Sequence, residues 1–283
     1  MERTISFYSF IIMVSYIILV SSLSLAQSDT SAVTRLTLQD GSEVMGYIIE
    51  ERDSLIFFRS ISGIRMEIDT GLVKKNEFID GAISDGELIR FDPNRTRLLF
   101  GPTARTLKKG TGYFSTYEIY FPSIAYGVSD IITLSGGISL IPGADEQVIY
   151  AGAKVGIFES EVVTLGGGFI YAHVSDTDFG TAYGVVSIGS QRTTVTLGLG
   201  WGYEDWEFSG TPVIILGGEV QVSNSIKLLT ENWLPPDTDF VIISLGIRFF
   251  GDNIAADFGL VTSTDVSTDG FPFLPWIGFV YNF

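Results

Sequence analysis

Covalent catalysis by a side chain needs a nucleophile with a base in reach, and this 283-residue chain offers one histidine and no cysteine for that purpose. The histidine is His173, and Ser175 follows two positions later. On an extended strand that spacing puts both side chains on one face. His173 as base and Ser175 as nucleophile are therefore the weak catalytic candidates. Their face continues the row Val163, Leu165 and Phe169, and no third residue that would orient the histidine stands out.

A second group of residues could do electrostatic work. Glu118, Lys154, Glu219, Lys227, Glu231, Arg248 and Asp257 interrupt stretches otherwise made of apolar and small residues. An ion withdrawn from water is costly unless paired. Such charges are expected either to form an internal salt-bridge network or to line a small polar pore. Glu219, Glu231, Arg248 and Asp257 come from consecutive segments and are expected to meet. A third group is acidic and sits in links between segments: Asp145, Glu146, Asp176, Asp178, Glu204, Asp205, Glu207, Asp237, Asp239, Asp265 and Asp269, against Lys108 and Lys109 in one basic link. The formal net charge of -16 argues against a nucleic-acid partner, which would require clustered Lys and Arg. No cofactor and no metal site is expected.

The elements that must position these residues announce themselves by a period of two. In Thr194 to Tyr203, one face reads Val195, Leu197, Leu199, Trp201, Tyr203 and the other Thr194, Thr196, Gly198, Gly200, Gly202. Val241 to Phe249 and Ile132 to Leu140 alternate in the same way. Apolar outside and polar inside is the reverse of a soluble barrel, and it suits a barrel in lipid. From Thr96 to Phe283 the chain divides into about twelve segments of the ~9 to 11 residues that a tilted transmembrane strand needs. The fold class expected is all-β, an antiparallel transmembrane barrel of about twelve strands. Short turns (127–130, 159–161, 190–192, 223–225, 251–253) alternate with longer links (108–112, 142–147, 176–180, 205–212, 234–239, 263–270), as a barrel with both chain ends on one side requires. The competing soluble reading, an exported barrel binding an apolar ligand, demands apolar residues inside.

Ahead of the barrel, Arg3, the apolar run Phe7 to Val20 and Ser24-Leu25-Ala26 predict a signal peptide over residues 1–26. Residues 27–80 predict a small β-domain with hairpin turns at Asp40-Gly41 and Ser62-Gly63 and a basic turn at Lys74-Lys75, and 81–95 a linker. The strand order of this domain, with a long strand bent at Gly46, is similar to SH3-like or Sm-like barrels.

Three further resemblances concern the barrel. Gly278, Tyr281 and Phe283 resemble the C-terminal assembly signal of bacterial outer-membrane β-barrel proteins, although Trp276 stands where that signal is usually polar. Gly101-Pro102-Thr103, Lys108-Lys109-Gly110 and Tyr126-Gly127-Val128-Ser129-Asp130 resemble outer-membrane barrels of Bacteroidota-like bacteria, a likeness that brings no activity with it. The His173-x-Ser175 spacing resembles outer-membrane lipid A deacylases. These likenesses imply an outer-membrane protein with a periplasmic N-terminal domain, in contact with outer-membrane lipid and lipopolysaccharide, assembled by the barrel-assembly machinery and offering a docking site to a periplasmic protein. A structural barrel or narrow cation-preferring pore is the expected role, and an enzyme is not.

Overall fold

A computed structural model describes residues 33–84, 87–265 and 272–283. The expected signal peptide lies outside the described residues. The chain divides into two compact units, residues 26–91 and a barrel unit over 92–283.

In the first unit, β1 (Val33–Leu38), β2 (Glu43–Arg52), β3 (Leu55–Ser60), β4 (Arg65–Asp69) and β5 (Val73–Ile79) form one antiparallel sheet in the order β4-β3-β2-β1-β5. A 3-10 turn, Thr70–Leu72, joins β4 to β5. Leu36, Ile56, Phe58 and Ile68 make its core. The Asp40-Gly41 turn forms as expected: Gly41 takes φ +86°, and Ser42 donates from its backbone and hydroxyl to the Asp40 carboxylate, holding that carboxyl below its usual range. Lys74 and Lys75 lie within β5 rather than in a turn. The stretch expected as a linker instead holds a hairpin of β6 (Gly81–Ser84) and β7 (Glu87–Arg90).

The second unit is a closed antiparallel barrel of twelve strands. They are β8 (Gly112–Tyr117), β9 (Phe121–Ser129), β10 (Ile132–Ile138), β11 (Ile149–Glu159), β12 (Val163–Val174), β13 (Thr177–Gly189), β14 (Thr193–Glu204), β16 (Val213–Ser223), β17 (Ile226–Leu234), β18 (Ile242–Phe250), β19 (Ile254–Ser263) and β20 (Leu274–Asn282). The two-residue β15 (Glu207–Phe208) folds back on β14. Closure comes from β20 pairing with β8, with Gly112 and Phe283 exchanging two backbone hydrogen bonds at 2.8 and 2.9 Å. A closed barrel leaves no unpaired strand edge, and this allows an apolar outer wall to sit in lipid. The wall is apolar as the alternation predicts. Leu245 is 68% exposed on β18, whereas Arg248 three positions on is fully buried. That arrangement contradicts the soluble-barrel expectation, which put apolar residues inside. Among the described residues no helix is long and apolar enough to cross a membrane.

The first barrel strand differs from expectation. Residues 96–107 are not a wall strand, and the segment between the expected links 108–112 and 127–130 is two strands with a turn at Glu118, Ile119 and Tyr120. Glu118 and Ile119 adopt φ +49° and +67° there. The two errors offset each other, so the total stays at twelve. Lys108 and Lys109 consequently belong to the short-turn end, where Lys109 N donates to Asp130 Oδ1.

Candidate functional site

The inward face of the barrel is not empty. Residues 92–107 enter at the short-turn end, rise as a narrow hairpin and return to start β8. Within the hairpin, Leu98 N donates to Gly101 O and Thr103 N to Thr96 O. Asp92, Asn94, Leu98, Thr103 and Ala104 are fully buried.

Wall glycines make room for it. A Cβ at Gly217 on β16 would collide with the Leu98 side chain, and one at Gly246 on β18 would come within 2.8 Å of Leu99. A backbone segment inside a barrel also needs partners for its own amides and carbonyls. The wall supplies them. Glu231 Oε2 accepts from Phe100 N and Gly101 N at 2.9 and 3.0 Å, and its Oε1 accepts from Trp233 Nε1 at 2.7 Å. Lys154 Nζ donates to Thr96 O and Thr103 O at 2.8 and 3.3 Å. Ser187 Oγ and Thr133 Oγ1 accept from Ala104 N and Leu107 N.

Charge fixes the base of the hairpin. Arg248 on β18 holds Asp257 on β19 through Nε at 2.6 Å, Asp92 at 2.9 Å, and the carbonyls of Asn94 and Leu98 at 3.0 and 2.6 Å. Arg97 reaches Asp257 at 2.7 Å from the inserted side. Lys227 lies 3.0 Å from Asp92 and 3.4 Å from Glu219, which also meets Arg105 at 3.3 Å. The chain thus alternates sign between insert and wall, and each ion has an opposite neighbour within one network.

Of the residues expected in the lumen, Lys154, Glu219, Lys227, Glu231, Arg248 and Asp257 are all buried there. Their partners differ from expectation. Arg248 and Asp257 do pair, but Glu231 binds backbone amides of the insert instead of joining the ions. Glu118 is not in the lumen; it sits at the β8–β9 turn, where Oε1 accepts from Ile277 N. Sequence reasoning missed Asp92, Arg97 and Arg105, although three charges beside an apolar triplet, Leu98-Leu99-Phe100, are an awkward strand and were the available signal.

The terminal signature has a local explanation. Gly278 faces inward, and a Cβ there would stand 3.4 Å from Asp257 Oδ2. Trp276 faces inward too, packing on Tyr117 and Phe100 at the top of the insert. Tyr281 and Phe283 face outward and are 53% and 45% exposed.

The His173 and Ser175 pair does not assemble. His173 Nδ1 bonds Asp178 Oδ1 at 2.7 Å across the β12–β13 hairpin, and Tyr171 OH donates to the same oxygen at 2.6 Å. Ser175 occupies the turn with φ +55°. Among the described residues no hydrogen bond joins it to His173, so this geometry lacks the nucleophile-to-base contact that the chemistry requires. The acidic links gather at the long-loop end as expected, except that Asp269 lies outside the described residues.

Fold and lumen together define the class: a transmembrane β-barrel of the outer-membrane type, filled by a segment of its own chain. No known family model and no curated protein matches the sequence. Among solved structures, the KdgM porin in complex with disordered oligogalacturonate is similar at 8% identity and a TM-score of 0.49, over 61% of this chain and 98% of that one. OmpT of Vibrio cholerae shares 12% identity at a TM-score of 0.33, over 89% of this chain and 95% of that one. OccK11 (OpdR) of Pseudomonas aeruginosa shares 11% identity at 0.32, over 89% and 94%. At these values the likenesses carry no argument about activity.

Proposed function

We propose that the protein is a bacterial outer-membrane barrel kept shut by residues 92–107, serving as a structural anchor that presents its N-terminal β-domain to a periplasmic partner. Both chain ends of the barrel leave at the short-turn end, which in bacterial outer-membrane barrels faces the periplasm. The N-terminal domain then lies in that compartment. Its five-strand order, with a 3-10 turn before the last strand, fits the SH3-like docking module expected from sequence.

The observation that carries the closed reading is the Arg248 guanidinium, which bonds Asp257 of the wall together with Asp92 and two carbonyls of the insert. An open pore would leave those groups to water. Here they bind chain.

The test is conductance of the purified full-length protein in planar bilayers. Silence across several salts is the expected result. Steady single-channel currents from the wild type would overturn the closed reading and replace it with a narrow pore, for which the loop carboxylates favour cations over anions.

A further inference from the structure

We propose that stacked rings on the outer wall of the barrel form a binding site for the uncharged sugar headgroup of a membrane glycolipid. The inference rests on the membrane placement just argued, but not on the state of the lumen.

The rings come from three elements. Phe169 of β12 and Tyr203 of β14 lie parallel, 5.1 Å apart at 8°. Trp206, in the turn before β15, stacks on Tyr203 at 5.4 Å and 20°, on Phe169 at 6.3 Å and 13°, and on Tyr171 at 6.4 Å and 26°. Three other outer-wall rings, Phe249, Phe258 and Phe279, meet edge to face instead, at 71° and 87°. Edge-to-face contact satisfies the ring quadrupoles within the cluster, whereas near-parallel rings grouped at these distances leave flat faces for an outside partner. Trp206 is the exposed member of the group, at 60%.

Several local features hold the stack in place. Gly180 of β13 lies beneath Tyr203, and a Cβ there would stand 2.7 Å from the Tyr203 hydroxyl. Asp205 and Trp206 both take positive φ, +48° and +69°. They are the two central residues of the β14–β15 hairpin, whose turn takes positive φ at both, although a tryptophan there is uncommon. Asp178 braces the turn. Its backbone exchanges hydrogen bonds with Asp205, and its carboxylate binds Tyr171 and His173. The Tyr203 hydroxyl is buried with no partner among the described residues.

Chemistry selects the ligand. The C–H face of a pyranose suits the negative face of an indole, and its hydroxyls suit an acceptor at the rim, which the partly exposed Asp178 carboxylate supplies beside Tyr171 and His173. Between residues 171 and 208 the only basic residue besides His173 is Arg192, at the opposite, short-turn end. A phosphate or carboxylate headgroup would therefore meet like charge.

The experiment uses the full-length protein in nanodiscs of phosphatidylcholine containing diglucosyl diacylglycerol or, in the control, phosphatidylglycerol with the same acyl chains. Lipid retained on the protein is read by native mass spectrometry and titrated by tryptophan fluorescence. The wild type should retain the glycolipid selectively. Trp206→Ala should weaken retention about tenfold and Trp206→Phe should recover most of it, while Trp201→Ala, a lipid-facing tryptophan outside the stack, should change nothing. Heat-modifiable mobility on a gel establishes that each variant is folded. Equal retention of both lipids, or an unaltered Trp206→Ala, overturns the proposal. Competition by a free glucosyl disaccharide at the same concentration overturns the assignment to a membrane lipid. Failure of the protein to enter nanodiscs sinks the membrane reading as well, whereas insertion without selectivity sinks this inference alone.

Discussion

Arg248 illustrates how one buried cation can decide a local structure. It is fully buried and its nitrogens reach two carboxylates and the carbonyls of Asn94 and Leu98. Truncating one member of a buried ionic network leaves the others uncompensated, at a cost of ~3–5 kcal/mol. Arg248→Ala should accordingly lower the unfolding free energy in detergent by about that amount, measured by urea titration of tryptophan fluorescence. Arg248→Lys should recover only a minor part, because a single ammonium lacks the fork that spans both carboxylates. An Arg248→Ala protein as stable as the wild type would show that the network is ornamental. The charge itself was legible in the sequence, since Arg248 interrupts the small-residue face of an alternating strand. Its partner was only half legible: Asp257 belongs to the next strand and follows from register, whereas Asp92 belongs to a segment with no period.

At the scale of elements, lipid makes wall strands readable. A strand between lipid and lumen must alternate, and β14 does so over its length, with Thr194, Thr196, Gly198 and Gly200 buried inside and Leu197, Leu199 and Trp201 exposed outside. The inserted hairpin obeys no such rule because it is surrounded on all sides, and Leu98-Leu99-Phe100 then resembles the apolar run of a strand. The β8–β9 turn escaped for a different reason. Glu118-Ile119-Tyr120 contains none of the residues that favour positive φ, and the tertiary structure imposes it regardless. The hairpin and the wall glycines that accommodate it can be tested as a pair. Gly217→Ala should destabilise the barrel by about 1–3 kcal/mol through overpacking against Leu98, and Leu98→Ala in the same chain should relieve part of that loss. Additive effects of the two substitutions in a urea series would deny the contact.

For the molecule as a whole, closure rests on a seam only a few residues long. β20 pairs with β8 over Gly278 to Asn282, and Phe283 completes the seam by bonding Gly112 and packing its ring on Phe114 at 5.1 Å. Gly112 is glycine where a Cβ would come within 2.7 Å of that ring. Deleting Phe283 removes both backbone hydrogen bonds and the ring contact. The assembled, heat-modifiable fraction in membranes should fall severalfold, and a deletion protein inserted at the wild-type level would refute this role.

The inserted hairpin also bears on the order of events during synthesis. Residues 92–107 leave the ribosome before any wall strand, whereas the ring cannot shut until Phe283, which bonds Gly112 across the seam, has been made. A hairpin already lodged among the nascent wall strands when the seam zips brings Asp92 to Lys227 and Arg248 before the ring shuts. Lys227 and Arg248 would otherwise be sealed in without Asp92. The chain in effect carries its own mandrel, a form laid down first and around which the cylinder is wound.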